Sequence, residues 1–276
     1  MVPLAPLRTG WRVLTPAFVR RDWKIARSYR LQFLLDIAVI PLALALFYFL
    51  SELVEPSRLP SDADLTKGYF SYAAVGLIVL RMVQTALTSF ATKLRTEQVS
   101  GTFETLLASP VAPSAVVMGS ATFELLRALT GGGVTLLVAS LFGLRLELGV
   151  GSIVGLVVGV PALVVTFAAV GVVVASFAVV VKQVTALIGL VTAALGLLAG
   201  AYFPIDLLPD PLRTAANLLP FTWGVDVLRA ALLRGELATG RLAALVGFAV
   251  VSLPLSLWSF RLSVDRARRG GTLTQF

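Results

Sequence analysis

The chain contains neither cysteine nor histidine in its 276 residues. The absence of thiols excludes disulfides and cysteine nucleophiles, the absence of imidazole excludes Ser-His catalytic systems, and together they exclude the usual zinc sites. No lysine follows the glycine-rich G-x-x-x-x-G-K-[ST] pattern that binds nucleotide phosphates; the four are Lys24, Lys67, Lys93 and Lys182. We therefore expect no catalytic residue, cofactor site or metal site here, and no ATP hydrolysis by this chain alone.

Charged residues are scarce as well, at 14%, whereas 57% of the residues are hydrophobic. A soluble core of this size cannot bury so much apolar surface, so lipid must cover much of it. The formal net charge is +8, and the basic residues lie beside the apolar stretches without any nucleic-acid recognition motif. We expect an all-α integral membrane protein whose cations meet anionic lipid headgroups rather than nucleic acid.

Six apolar stretches predict transmembrane helices. Each reaches the roughly 20 residues that about 30 Å of hydrocarbon requires at 1.5 Å per residue. They cover residues 31–53, 69–90, 116–144, 150–181, 184–203 and 242–262. In the fourth, Gly151, Gly155 and Gly159 recur at every fourth residue, which predicts close packing against another helix.

The first thirty residues lack the apolar core and cleavage site of a signal peptide. Residues 1–30 instead predict an interfacial helix, which Thr15 caps and Pro16 opens. Trp23 lies on its apolar side and basic residues lie on the other, as in a helix that rests among lipid headgroups. A solvated basic arm is the alternative.

Lys and Arg predict the orientation. If both termini are cytoplasmic, the inner segments hold about twice as many Lys and Arg residues as the outer ones. The first outer loop is also acidic, through Glu52, Glu55, Asp62 and Asp64. We expect a multi-pass protein of the cytoplasmic membrane with both termini inside.

A polar stretch between the second and third spans, residues 94–113, is called the coupling segment below. Phe103, Leu106 and Leu107 share one face of a predicted short helix, while Thr105 faces elsewhere. Its prolines, Pro110 and Pro113, end the helix. This pattern predicts a cytoplasmic amphipathic helix that docks into a groove of a partner protein; an amphipathic loop helix that rests on the bilayer is the alternative.

A second punctuated stretch, residues 204–240, is called the external hairpin. Its length and its prolines, which include Pro204, Pro209 and Pro220, predict a re-entrant hairpin with short helices at Ala215–Leu219 and Val225–Leu233. Such a hairpin shapes the outer mouth of a pathway or merely caps the bundle.

Four polar residues within the spans form a predicted polar cluster: Arg81, Gln84, Glu124 and Arg127. An uncompensated cation in the membrane centre costs roughly 2.5–3.5 kcal/mol on insertion scales, so Arg81 must face protein or water. Counted from the inner ends of the predicted spans, Arg81 and Glu124 lie at similar depth. A structural ion pair and contact with an amphiphilic substrate both fit this arrangement.

The residues Glu97, Gly101-Thr102, Glu104, Leu107 and Ser109-Pro110 resemble the coupling-helix signature of ABC-2 type transporter permeases. The stretch from Phe203-Pro204 through Leu219-Pro220-Phe221 to Arg229 is similar to that family's outer hairpin. One departure is Val99, where many relatives carry an acidic residue. With six spans and a basic amphipathic N-terminus, the resemblance covers nearly the whole chain.

The resemblance implies a primary-active exporter of two permease subunits, as a homodimer or heterodimer, and two ABC ATPase subunits that bind ATP and Mg²⁺. The implied ATPase contacts are Glu97, Gly101, Thr102, Phe103, Glu104, Leu106, Leu107, Ser109 and Pro110. Because aromatics are few within the spans, we expect an amphipathic or hydrophobic cargo, such as a drug, an antibiotic or a lipid-like molecule. The alternatives are a polysaccharide-lipid conjugate, or a secondary transporter or channel with an Arg81/Glu124 relay.

Overall fold

The computed structural model describes residues 11–28, 30–54, 68–99, 113–178 and 184–269. Every regular element in these ranges is helical, which confirms the all-α prediction. The helices are α1 (Trp11–Ser28), α2 (Arg30–Leu53), α3 (Tyr69–Val99), α4 (Pro113–Leu141), α5 (Val150–Val154), α6 (Val160–Ala178), α7 (Val184–Leu198), α8 (Asp210–Asn217), α9 (Pro220–Arg229) and α10 (Thr239–Arg269). Two π-helical turns, Gly155–Gly159 and Ala230–Arg234, continue α5 into α6 and extend α9; a 3₁₀ turn covers Ile205–Leu207.

Three described helices are long and apolar enough to cross a membrane: Tyr69–Thr88, Val150–Val174 and Thr239–Phe260. Shorter apolar stretches, Ile37–Leu53, Leu126–Leu141 and Ile188–Leu198, fall within the other three predicted spans. These lengths confirm a membrane protein. The full count of six crossings stays a prediction.

Helix α3 forms the centre of the described bundle. Tyr72, Val75, Val79 and Val83 are among its fully buried side chains, and α4, α6, α7 and α9 all pack against it. Of the apolar window of α3, 78% is buried inside the protein, compared with 22% for α10. Helix α10 therefore presents most of its apolar surface outward, as a lipid-facing helix does.

Several helix ends differ from the predicted span limits. Helix α3 continues to Val99 instead of ending at residue 90, because residues 91–99 contain no proline or glycine and include good helix formers. The first residues of the coupling segment are therefore the last turns of α3. Helix α10 similarly runs past residue 262 to Arg269, whereas α7 ends at Leu198, before Gly200 turns the chain with φ +78°.

The N-terminal helix was predicted with the wrong start. Helix α1 begins at Trp11, and Pro16 lies inside it, not at its first position. Helix α1 packs against α4, with Asp22 only 5% exposed and paired to Arg21 at 3.0 Å. Trp23 is 63% exposed, as a headgroup anchor must be. Location at the lipid interface stays a prediction.

Candidate functional site

Most of the coupling segment lies outside the described residues. This applies to Gly101, Thr102, Phe103, Glu104, Leu106, Leu107, Ser109 and Pro110, so their predicted contacts stay predictions. Glu97 lies in the last turn of α3. Residues 100–112 join the end of α3 to the start of α4, and these two helices pack against each other. Any force on residues 100–112 therefore acts directly on both helices.

The register between α3 and α4 is fixed by two contacts. Gly132 lies against Met82, since a β-carbon added to the glycine would be 2.8 Å from Met82 Sδ. At the other end, the Arg145 backbone N–H donates to Ser71 Oγ at 3.3 Å. The helices therefore run antiparallel, with Met82 opposite Gly132.

This register places two residues of the predicted polar cluster at different levels along the helix pair. If Met82 is opposite Gly132, then Arg81 is opposite Gly133, and Glu124 lies about nine residues away, or roughly 13 Å along the axis. The two do not share a depth, because α3 extends nine residues beyond the predicted end from which depth was counted. The side chain of Glu124 lies outside the described part, so the Arg81–Glu124 pairing stays a prediction that this offset disfavours.

The same register brings other polar side chains to one level. Arg127 falls opposite Leu87, between Gln84 and Thr88, and helical spacing places Arg127 on the same side of the helix pair as both. Arg127 and Gln84 are exposed, and Arg81 is half-buried. The Thr88 hydroxyl donates to the main-chain carbonyl of Gln84 at 2.7 Å. The α3–α4 pair therefore has a polar side within its apolar length.

The external hairpin contains two short helices at shifted positions. Helix α8 begins at Asp210 directly after Pro209, and α9 begins at Pro220; the predicted helices began at Ala215 and Val225. Each starts earlier because proline has a φ angle that suits the first helical turn. Pro204 is buried just before the 3₁₀ turn.

Polar bonds fix the turn between α8 and α9. Thr222 Oγ1 donates to the Ala216 carbonyl at 2.7 Å, and Trp223 Nε1 donates to the Asn217 carbonyl at 2.7 Å. Arg241, in α10, donates to Asn217 Oδ1 at 2.6 Å and pairs with Asp226 at 3.0 Å. The hairpin is thus tied to the start of the last long helix.

The predicted glycine seam packs against the hairpin. A β-carbon on Gly159 would lie 2.6 Å from Val227 Cγ1, and one on Gly155 would lie 2.9 Å from Ala231 Cβ. A β-carbon on Gly151 would lie 2.7 Å from the backbone of both Glu236 and Leu237. This confirms the packing role of the seam, and it brings the two π-helical turns against each other.

Arg229 is the most buried charged residue among those described, at 2% exposure. Its Nη2 donates to the carbonyls of Gly200 at 2.8 Å, Tyr72 at 3.1 Å and Ala201 at 3.2 Å. The guanidinium carbon lies 3.4 Å from the centre of the Tyr72 ring. One side chain of α9 therefore joins the N-terminal end of α3 to the turn after α7.

Sequence reasoning singled out Arg229 only through the family resemblance and missed Tyr72, Gly200 and Ala201. An arginine within the apolar stretch of α9 is a signal that a buried partner exists. The sequence does not identify that partner, because the acceptors are main-chain carbonyls, which every residue has.

A family model described as ABC-2 type transporter matches residues 11–233. The match begins at the first residue of α1 and ends within the π-helical turn after α9, so it includes the coupling segment, the α3–α4 pair and Arg229. No curated protein sequence matches the chain.

Proposed function

The chain belongs to the ABC-2 type transporter family of membrane permeases, and from that premise we propose that it forms the translocation pathway of an ATP-driven exporter. The family match over residues 11–233 is the observation that carries this proposal. Such permeases are not catalytic, and the ATPase is a separate subunit. We propose a complex with two ATPase subunits, which bind ATP and Mg²⁺, and a second permease subunit, identical or related.

The coupling segment is the proposed ATPase contact. Phe103, Leu106 and Leu107 would supply the apolar surface, with Glu97 and Glu104 setting the register against basic residues of the ATPase. The antiparallel α3 and α4, joined by residues 100–112, support this role because closure of the ATPase pair would displace both helices together.

The proposed cargo is amphipathic or hydrophobic, such as a drug, an antibiotic or a lipid-like molecule. The exposed Gln84 and Arg127 on the polar side of the α3–α4 pair support an amphipathic one. A cation at membrane depth costs roughly 2.5–3.5 kcal/mol in lipid, so this side would face water, protein or a polar headgroup. The apolar surfaces around it would then accommodate a hydrocarbon portion.

The proposed topology has six crossings in the cytoplasmic membrane, with both termini inside. Helix α1 carries Arg20, Arg21, Lys24 and Arg27, and α10 ends with Arg266, Arg268 and Arg269. Basic residues at both ends favour the same cytoplasmic side, where anionic lipids attract them.

Copurification with the ATPase tests the proposal. Phe103→Asp should abolish ATPase association and ATP-dependent export, because a charge on the docking face is not accommodated in an apolar groove. Thr105→Asp is the matched control, since it adds the same charge on another face and should retain association. Unimpaired association of Phe103→Asp, or transport by wild type without any ATPase, would overturn the proposal.

A further inference from the structure

We propose that Arg229 is a positioning residue that fastens the external hairpin to the outer end of α3, so that movement of α3 at the coupling segment reaches the hairpin. The inference rests on the proposed function, because it requires an ATPase that displaces α3. Three features of the molecule support it: a continuous helix, a buried clamp at the outer end of that helix, and a direct backbone contact beside the clamp.

Helix α3 is continuous from Tyr69 to Val99, and a helix of 31 residues is about 46 Å long. It contains no proline, and its buried position in the bundle opposes bending. Its inner end leads directly into residues 100–112, and Tyr72 lies one turn from its outer end. Displacement at one end therefore appears at the other.

The clamp combines three hydrogen bonds with a stacked cation. Arg229 Nη2 reaches Tyr72, Gly200 and Ala201 carbonyls at 2.8–3.2 Å, and the guanidinium stacks on the Tyr72 ring at 3.4 Å. Gly200 and Ala201 lie just beyond the C-terminal end of α7, and the negative end of that helix's dipole also favours a cation nearby. Because Arg229 is only 2% exposed, water screens these contacts little.

The backbone around the clamp leaves no free space. A β-carbon on Gly76 would overlap the main chain of Ala201, so α3 touches the turn after α7 directly. Tyr72 Oη also donates to the Gly200 carbonyl, at 3.4 Å. A shift of the outer end of α3 is therefore transferred to this turn and, through Arg229, to α9.

The rest of the hairpin is held by other helices. Gly155 and Gly159 pack against α9 and its π-helical turn, and Arg241 ties the α8–α9 turn to α10. Loss of Arg229 should therefore leave the hairpin folded but separate its movement from that of α3. A folded hairpin that no longer moves with α3 would indicate a positioning role for Arg229, whereas an unfolded hairpin would indicate a purely structural one.

The test uses the complex with its ATPase, in vesicles of phosphatidylethanolamine and phosphatidylglycerol. The absence of native cysteine allows two spin-label pairs: an outer pair at Leu53→Cys and Leu218→Cys, and an inner pair at Thr92→Cys and Ser263→Cys. Leu53 and Leu218 are 79% and 70% exposed, so labels there disturb little packing. Distances are measured without nucleotide and with ATP plus vanadate.

In wild type, nucleotide should change both distances. In Arg229→Gln, the nucleotide-dependent change in the inner distance should persist, while the change in the outer distance should be at least threefold smaller than in wild type. Arg229→Lys keeps a cation but not the planar group that stacks on the ring, so its change in the outer distance should lie between those of wild type and Arg229→Gln. Arg213→Gln is the matched control, because Arg213 pairs with Asp210 on the hairpin surface, and it should behave as wild type.

Two results would overturn the inference: an outer change that is undiminished in Arg229→Gln, or no outer change in wild type while the inner pair responds. An inner pair that never responds to nucleotide would instead contradict the proposed function. If Arg229→Gln does not fold, Arg229→Met replaces it, since it keeps an unbranched side chain of similar length and removes every hydrogen-bond donor; an undiminished outer change there overturns the inference equally.

Discussion

At the scale of single residues, the hydrogen-bond acceptors of Arg229 Nη2 are main-chain carbonyls of Tyr72, Gly200 and Ala201. Such a site requires the backbone of α3 and the backbone of the turn after α7 to lie close to each other. Gly76 makes this approach possible, because α3 meets Ala201 where any side chain would intrude. The glycine and the arginine are therefore parts of one local arrangement.

Gly76→Ala should destabilise the protein by about 1–3 kcal/mol, the usual effect of overpacking, because backbone must move to admit the methyl group. The measurement is the thermal unfolding temperature in detergent, with tryptophan fluorescence as the signal. Gly131→Ala is the control: its β-carbon would meet nothing within 4 Å, so its unfolding temperature should be unchanged or slightly higher. Equal unfolding temperatures for Gly76→Ala and wild type would contradict the close contact.

The family resemblance drew attention to Arg229, but nothing in the sequence identifies the groups that surround it. A buried arginine in an apolar helix implies acceptors, whereas the carbonyls that accept are far along the chain and carry no signature. The polar cluster shows a related difficulty. Residue types placed Arg81 and Glu124 within spans, but their relative depth depended on where α3 ends, which hydropathy does not report.

At the scale of elements, the seam of Gly151, Gly155 and Gly159 joins the α5–α6 helix to the hairpin. Gly151 contacts Glu236 and Leu237. Gly155 contacts Ala231, and Gly159 contacts Val227. Every fourth position is small, so the helices approach closely over about two turns. The hairpin is consequently packed into the described bundle rather than resting on it.

Gly159→Val should destabilise the protein by roughly 1–3 kcal/mol, because the added side chain would collide with Val227. Gly189→Val, on α7, is the matched substitution, since a β-carbon there has open space. Both variants carry the same change in helix propensity, so the difference between their unfolding temperatures isolates the seam. A difference near zero would mean that α9 can shift aside at no cost.

Apolar runs predicted where the long described helices lie, but not where those helices end. Residues 91–99 and 263–269 are too polar to count as membrane-spanning, yet they continue α3 and α10 because nothing in them ends a helix. In the hairpin, the prolines marked the turns correctly, while the helices that they open were placed several residues too late. The π-helical turns had no sequence signal at all.

At the scale of the whole molecule, exposed large hydrophobic side chains are most numerous on α2 among the described helices, and further groups lie on α4, on residues 150–158 and on α10. Leu42, Phe49 and Leu53 on α2, and Val250 and Val251 on α10, are all more than half exposed. Lipid covers such surfaces in a membrane protein, whereas they would cause aggregation in water. The composition already indicated this excess of apolar surface.

Orientation is testable because the chain has no native cysteine. Leu218→Cys, in the external hairpin, should react with a membrane-impermeant maleimide in intact cells. Ser28→Cys, at the end of α1, should react only after permeabilisation. Labelling of Ser28→Cys in intact cells, or protection of Leu218→Cys until permeabilisation, would reverse the topology.

Fold class and family were recognisable from the sequence because composition, apolar runs and the 94–113 and 204–229 motifs all extend over long stretches. The arrangement of the bundle was not, since it depends on which glycines meet which helices. Gly132 against Met82 and Gly159 against Val227 are pairings of distant residues that no local pattern encodes.

The two facing π-helical turns have a consequence for comparing this chain with its relatives. A π-helical turn holds about one residue more than an α-helical turn, so each marks a place where one residue fits without shifting the flanking helix register. A relative that is one residue shorter within 155–159, or within 230–234, is therefore expected to form an α-helical turn there and to keep the seam on the same helix face. Alignments of the family should place single-residue gaps at these two turns.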